Sequence, residues 1–291
     1  MKLTLKAHAK LILMLDILST LENGYHELFM VMQSVSLADE VTVELTGSGE
    51  ITLSCSDPEL PTDEHNLAVK AAAAFYDCFG LPAQGLHIHI EKHIPKEAGL
   101  AGGSADAAAV IRALFELHGK VPAVRDLIAV GAKVGSDVPF CALGGLMLAQ
   151  HTGTVLSFLP ALEFGRFVIV TPEHPVSTAA AYAAFDTAGR VRHPDRSGML
   201  GSVMSGDLPG VCCRVNNVFE QFIDVPERVQ IKAVMRENGA LCSCMSGSGP
   251  SVFGIFEREE NAQAAARELQ RGFKNVFVCT AVDCGVQKAD G

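Results

Sequence analysis

The sequence has too little basic charge for a typical nucleic-acid-binding protein. Its 291 residues include 23 Lys or Arg and 33 Asp or Glu, which gives a formal net charge of −10 at pH 7. A nucleic-acid-binding surface needs clustered basic side chains that neutralise phosphates. The composition therefore argues against a nucleic acid partner. A small anionic substrate remains compatible with it, because a local pocket can be positive on an acidic protein.

Long hydrophobic runs and a cysteine framework are also missing. No stretch approaches the roughly 20 apolar residues of a membrane span, and residues 1–6 lack the apolar run of a signal peptide. The nine cysteines do not form the paired CxxC spacing of a zinc site, and their odd number argues against a fully disulfide-bonded secreted protein. We therefore expect a soluble, cytoplasmic protein with free thiols and no membrane partner.

Two common nucleotide-binding motifs are absent. The sequence contains no G-x-x-x-x-G-K-[ST], which excludes a P-loop enzyme, and no G-x-G-x-x-G follows an early strand, so a Rossmann dinucleotide site is unsupported. Hydrophobic residues nevertheless make up 48% of the chain and charged residues only 19%. This composition provides a substantial core for one large domain or two smaller ones.

The hydrophobic pattern alternates between strand and helix periods. Residues 40–45 (EVTVEL) alternate as a strand does, and so do residues 86–90 (LHIHI), which places His87 and His89 on one face. No carboxylate or cysteine stands at a supporting spacing, so this pair favours a solvated face over a metal site. Helices are predicted at residues 66–79, 104–118, 124–134 and 260–271. Additional strands are predicted at residues 51–55, 144–150, 167–171, 251–256 and 275–282. The mixture predicts an α+β sandwich with a boundary near residues 150–165.

A glycine-rich segment, residues 95–109, lies between a predicted strand and a predicted helix. Gly99, Gly102 and Gly103 allow the backbone to approach a ligand closely and to adopt positive φ. Consecutive N–H groups at the start of the following helix favour an anion such as a phosphate. The residues alone also allow an ordinary glycine-rich turn.

Five segments resemble, in the same order, those of the GHMP kinases. They span nearly the whole chain: residues 9–13 (AKLIL), 23–28 (NGYHEL), 95–108 (PKEAGLAGGSADAA), 135–140 (GSDVPF) and 245–250 (MSGSGP). The extra glycine before the serine and the Gly-Tyr-His segment are similar to one branch of this family, whose acceptor is 4-diphosphocytidyl-2-C-methyl-D-erythritol. One glycine loop alone would be weak evidence for this resemblance, but five segments in the same order are specific to the family.

The resemblance implies a fold, a reaction and cofactors. The fold would be two-lobed α+β, with a ribosomal-protein-S5-domain-2-like lobe at residues 1–155 and a ferredoxin-like α/β sandwich at residues 156–291. The reaction would be ATP-dependent phosphorylation of the 2-hydroxyl of that cytidine diphosphate-linked polyol, with Mg²⁺, in the non-mevalonate route to isoprenoids. Phosphorylation of another small alcohol, such as homoserine or a mevalonate derivative, and a non-catalytic nucleotide-binding regulator remain alternatives. The oligomeric state, monomer or homodimer, is left open.

The resemblance also implies site residues. Asp137 would act on the acceptor hydroxyl, and Lys10 would hold Asp137 ionised and stabilise the transferring phosphoryl group. The residues expected to bind ATP are Asn66, Leu67, Lys92, Pro95, Ala98, Gly99, Leu100, Ala101, Gly102, Gly103, Ser104 and Ala105. The residues expected at the acceptor are Tyr25, His26, Thr178, Tyr182, Gly247, Ser248 and Gly249. The ligands of a metal ion are not predicted.

Two residues depart from the family pattern. Ile12 stands two residues after Lys10, where the family usually carries asparagine, so one polar contact to substrate or phosphate would be lost. Glu97 stands close to the glycine loop, where small or apolar residues are usual, and its charge would repel ATP unless it points to solvent. Neither change removes a catalytic group, so we expect activity to be retained.

Overall fold

The first sheet is built on two long neighbouring strands. The computed structural model describes residues 1–82 and 84–289, and in this part of the chain the sheet has eight strands. Its centre is the antiparallel pair of β1 (Lys2–Thr20) and β2 (His26–Leu45). The other strands are β3 (Ile51–Cys55), β4 (Leu86–Glu91), β5 (Leu146–His151), β6 (Val155–Phe158), β8 (Asn216–Asn217) and β12 (Val286–Lys288). Their order is β12–β1–β2–β4–β3, with β5 and β6 continuing from β2 and β8 pairing with β1.

The strand β1 is a continuous apolar run because both of its faces are covered. From Leu11 to Leu15 every side chain is at most 2% exposed, and a strand buried on both faces needs no polar alternation. The described part of this half of the chain has four helices: α1 (Leu67–Phe79), α2 (Gly102–Leu117), α3 (Val124–Val134) and α4 (Val138–Leu143). The alanine-rich α2 packs against β1 and is buried over most of its length.

The second sheet confirms the ferredoxin-like α/β sandwich. Its strands are β7 (Arg166–Thr171), β9 (Cys242–Met245), β10 (Val252–Phe256) and β11 (Asn275–Cys279). They are antiparallel neighbours in the order β11–β7–β10–β9. Helices α8 (Arg228–Glu237) and α9 (Glu259–Leu269) cover this sheet, and α5 (Thr178–Asp186), α6 (Arg196–Met204), α7 (Leu208–Cys212) and a 3₁₀ turn (Val218–Gln221) precede them. The predicted α+β class is confirmed.

The two halves of the chain are interleaved in the first sheet. The strand β6 crosses the predicted boundary between residues 155 and 156, and the short strands β8 and β12 return from the second half to pair with β1. The division into residues 1–155 and 156–291 stays a prediction. Residues 83, 290 and 291, which fall within those ranges, lie outside the described residues.

The predicted bounds of helices and strands agree best with the structure where the sequence has a clear hydrophobic period, and less well where it has none. The predicted helix at residues 124–134 and strand at 51–55 have the observed bounds, whereas β2 extends fourteen residues before the predicted 40–45. His87 and His89 lie on one face of β4, and both bond to the Ser54 hydroxyl at 3.2 and 2.8 Å. None of the helices within the described residues is long and apolar enough to cross a lipid bilayer.

Candidate active site

A cleft of about 1470 Å³ collects residues from all five sequence segments singled out above. Its lining comes from β1, the start of β2, the glycine loop, the segment before α4, the start of α5 and the turn after β9. All the predicted site residues line this cleft except Leu100, Ala105 and Gly249. The fold therefore brings together positions that are up to 238 residues apart, as Lys10 and Ser248 are.

The three exceptions lie beneath the cleft. The side chains of Leu100 and Ala105 are fully buried in the core, and the carbonyl of Leu100 accepts a hydrogen bond from the Lys10 amide at 3.0 Å. Gly249 has φ of +90°, and a Cβ there would overlap the Met245 sulfur. These residues shape the loops that line the cleft and do not offer side chains to a ligand.

Lys10 and Asp137 form an ion pair in the cleft. Lys10 Nζ lies 3.4 Å from Asp137 Oδ2, with the lysine side chain 5% exposed and the aspartate 32% exposed. Lys10 projects from β1, and Asp137 is held at the start of α4, a short helix with a proline in its first turn. The pair combines a positive charge with a carboxylate that can accept a proton from a hydroxyl group.

The glycine loop exposes the N-terminus of α2 to the cleft. Ala101 caps this helix in the left-handed region at φ of 58°, and its methyl side chain cannot accept a hydrogen bond from the first N–H groups of α2. Free N–H groups at a helix N-terminus favour an anion. Gly99 has φ of +73°, and a Cβ on it would overlap the Ser246 carbonyl. Glu97 is exposed on the rim of the cleft, so its carboxylate is solvated.

An aromatic cluster lies at the other end of the cleft. The His26 ring stacks on Tyr182 with centroids 4.6 Å apart, whereas Tyr25 is 65% exposed. Burial, with a smaller contribution from the negative charge of Asp137, raises the pKa of Tyr182 to about 12, so its hydroxyl stays protonated. The hydroxyls of Thr178 and Ser248, which line the same cleft, are 2.8 Å apart. The cluster offers one free aromatic face and several polar groups.

Two family models and several relatives match this chain. Residues 66–145 match the GHMP kinases N terminal domain, and residues 214–275 match the GHMP kinases C terminal domain. A relative from Caldicellulosiruptor bescii, named 4-diphosphocytidyl-2-C-methyl-D-erythritol kinase, is 38% identical over 96% of this chain and 98% of its own length. A relative of the same name from Brevibacillus brevis is 40% identical over 96% of each chain.

The chain belongs to the GHMP kinase family.

Solved structures share its fold. A crystal structure of 4-(cytidine 5'-diphospho)-2C-methyl-D-erythritol kinase has a TM-score of 0.77 and 31% identity, covering 97% of this chain and 99% of that one. A homoserine kinase from Cytophaga hutchinsonii has a TM-score of 0.79 at 20% identity, covering 99% and 97%. The second match shows the GHMP kinase fold alone.

A buried charged triad lies beneath the glycine loop of this GHMP kinase. Lys92 lines the cleft, but its ammonium is bound by Asp39 and, at 2.8 Å, by Asp106 Oδ2. Asp39 Oδ1 also accepts the amides of His93 and Ile94, at 2.6 and 2.8 Å. The triad therefore ties together β2, the segment after β4 and α2.

Burial dominates the electrostatics of this triad. It raises the pKa of Asp106 to about 8, and the charge of Lys92 only partly opposes that rise. Burial alone would lower the pKa of Lys92, but the two carboxylates outweigh it and raise that pKa. The other oxygen of Asp106, Oδ1, has no hydrogen-bond partner among the described residues. An aspartate in the otherwise alanine-rich start of α2 was the sequence signal for this group.

Two further buried polar residues, which sequence reasoning did not assign, fix the second glycine turn. Ser246 is fully buried; its hydroxyl donates to the Gly99 carbonyl at 3.0 Å and accepts the Ile12 amide at 3.2 Å. Asn217 donates its amide to the carbonyls of Met245 and Gly247, at 2.8 and 2.7 Å. The sequence signal for Asn217 was a pair of asparagines, Asn216 and Asn217, between the apolar residues Val215 and Val218.

Proposed function

We propose that this GHMP kinase transfers the terminal phosphoryl group of ATP to the 2-hydroxyl of 4-diphosphocytidyl-2-C-methyl-D-erythritol. The observation that carries the proposal is the position of the Lys10–Asp137 pair in one cleft with the glycine loop and the aromatic cluster around His26. The names of the relatives at 38 and 40% identity support the same acceptor. ATP would bind at the glycine loop, and the cytidine would bind at the aromatic cluster.

The ion pair supplies the chemistry of the transfer. Asp137 would orient the acceptor hydroxyl and take its proton as that oxygen forms the new bond to phosphorus, while the bond to the departing ADP breaks. Lys10, 3.4 Å away, would pair with the Asp137 carboxylate and stabilise negative charge on the transferring group. Since Lys10 N is bonded to the Leu100 carbonyl, the lysine is held in register with the glycine loop.

The glycine loop would hold the phosphates through backbone N–H groups. Gly102 and Gly103 begin α2 with no side chain of their own, and both line the cleft. Asn66, Leu67 and Lys92 line the same cleft and would border the adenine. Because Lys92 is already bound by two carboxylates, we assign it to the shape of this pocket and not to direct neutralisation of phosphate.

Mg²⁺ fits oxygen donors beside the glycine loop. This ion prefers oxygen ligands and usually keeps several waters. Ser104 and Asp106 both line the cleft from the first turns of α2, and Asp106 Oδ1 is buried and unpartnered among the described residues. We propose that these two residues hold Mg²⁺ together with ATP, and that the ion would displace the proton that the buried Asp106 carboxyl holds in the metal-free protein. The ion would neutralise charge on the phosphates.

A substrate panel tests the proposal. ADP release should be measured with the cytidine diphosphate-linked polyol, homoserine, mevalonate and phosphomevalonate as acceptors. We expect turnover with the first at least about a hundredfold above the others, since they carry no base for the aromatic cluster. Preferred turnover of another alcohol would overturn the assigned acceptor. We further propose a cytoplasmic enzyme with no nucleic acid or membrane partner, in keeping with nine free thiols.

A further inference from the structure

Asp186 holds one nitrogen of the His26 ring. Its Oδ1 lies 2.7 Å from His26 Nε2 and also accepts the Thr20 hydroxyl at 3.3 Å. His26 is the first residue of β2, and Asp186 is the last residue of α5, 160 residues later. No part of the proposed reaction above uses Asp186, and it does not line the cleft.

The position of Asp186 is not explained by helix stability. A carboxylate at the C-terminal end of a helix opposes the helix dipole, which favours cations there. The last turn of α5 carries no basic residue to compensate. The contacts that Asp186 does make, with His26 and Thr20, both lie on the first sheet.

The remaining contacts prevent His26 from turning. Tyr182 stacks on one face of the ring at 4.6 Å, and Phe185 meets it edge-on with centroids 5.9 Å apart. The His26 side chain is only 8% exposed, yet it lines the cleft. With Nε2 bonded to Asp186 and two aromatic rings packed against the imidazole, the ring nitrogen left to meet a ligand is Nδ1.

The contact with Asp186 determines whether Nδ1 of His26 donates or accepts a hydrogen bond. A carboxylate only accepts hydrogen bonds, so Nε2 carries the proton and donates it to Asp186. In the neutral ring Nδ1 is then an acceptor. Within the described residues no hydrogen bond engages Nδ1, so it is free for a ligand in the cleft.

We propose that Asp186 is a specificity-determining residue: by fixing the proton of His26 on Nε2, it presents Nδ1 as an acceptor that selects the amino group of cytosine over the carbonyl of uracil. Asp186 acts through His26 and is a positioning residue. The inference rests on the proposed function, because it needs a pyrimidine nucleotide at the aromatic cluster. Cytosine donates from its amino group where uracil accepts at its carbonyl, and a mismatched pair of acceptors repel each other.

Nucleotide binding tests the inference. The dissociation constants of CMP and UMP should be measured by calorimetry at pH 8 for the wild type, Asp186→Asn and the control Glu173→Gln. Glu173 forms an exposed ion pair with Lys274 outside the cleft. We expect CMP to bind on the order of tenfold more tightly than UMP in the wild type and control, the discrimination of about one hydrogen bond.

In Asp186→Asn this ratio should fall to within about twofold, because an amide can pair with either neutral form of the imidazole. An unchanged ratio, or equal weakening of both nucleotides, would overturn the role of Asp186. If the wild type bound neither nucleotide, the cytidine pocket itself would be wrong, which is a separate failure. Nitrogen NMR of His26 in the wild type provides a test that needs no variant: the proton should lie on Nε2, and a proton on Nδ1 alone would contradict the inference.

Discussion

The Ser246 hydroxyl donates to the Gly99 carbonyl and so joins the second glycine turn to the glycine loop. The same hydroxyl accepts the Ile12 amide, two residues after Lys10. Three segments of the active site, remote in sequence, therefore share one buried side chain. Ile12, where the family usually has asparagine, contributes a backbone group here and its apolar side chain is buried.

Ser246→Ala should weaken both stability and ATP binding. The substitution leaves a buried amide and a buried carbonyl without this partner, at a cost of about 1–3 kcal/mol. Urea denaturation measures the stability, and ATP titration measures the affinity, which should fall several-fold because Gly99 is no longer held. Thr171→Val is the control, since it removes a buried hydroxyl that bonds to Ser251, and neither of these two residues lines the cleft. If both variants lowered the affinity for ATP equally, Ser246 would have no specific role at the glycine loop.

Gly102→Val should abolish tight ATP binding and spare the acceptor. A Cβ at Gly102 would lie 3.1 Å from the Ile94 side chain and 3.2 Å from Lys92 Nζ, so the loop or the triad must shift. Equilibrium binding of ATP and of CMP should be measured separately. Gly201→Val controls for valine in a helix, because that position opens to free space. Unchanged ATP affinity in the folded variant would contradict the predicted phosphate loop, whereas equal weakening of both ligands would indicate general misfolding and leave the loop unassigned.

Asp106→Asn should change how stability depends on pH. In the folded, metal-free protein, burial raises the pKa of Asp106 to about 8, whereas an unfolded aspartate releases its proton near pH 4. The folded state therefore binds more protons than the unfolded state between these pH values. The contribution of Asp106 to the free energy of unfolding falls as pH rises through this range. Asparagine cannot titrate, so the variant should gain stability relative to the wild type between pH 5 and pH 8.

Urea denaturation at several pH values measures this difference. Glu173→Gln serves as the control, because Lys274 lowers the pKa of that exposed carboxylate and keeps it ionised across the range. A constant difference in unfolding free energy between Asp106→Asn and the wild type would show that Asp106 is ionised in the folded protein.

Tyr25→Ala should raise the acceptor KM by about ten- to a hundredfold, with little change in the KM for ATP. The ring of Tyr25 is 65% exposed at the cleft, and stacking on a base contributes roughly 1–3 kcal/mol. Tyr182 has one face covered by His26, so its truncation should act through the position of His26. Phe158→Ala removes an exposed aromatic ring outside the cleft and is the control. An unchanged acceptor KM in Tyr25→Ala would show that Tyr25 does not contribute to binding of the acceptor.

The sequence was informative where function depends on continuous segments. Gly102 and Asp137 stand in dense local motifs, and the fold places both in one cleft with Lys10. Asp39 and Asp186 were missed because their partners lie 53 and 160 residues away, and no local pattern encodes such a pairing. The strands β8 and β12, with two and three residues, are too short to show a period, so their return to the first sheet could not be predicted either.

Turnover of Asp137→Asn tests the account most directly. ADP release should be measured with saturating ATP and the cytidine diphosphate-linked polyol, after ATP binding and thermal unfolding have shown that the variant is folded. The account predicts that kcat falls by about 10²–10⁴-fold, since the amide cannot take the proton of the acceptor hydroxyl, while ATP affinity changes little. A near-normal kcat in the folded variant would contradict the assignment of Asp137 and, with it, the proposed mechanism.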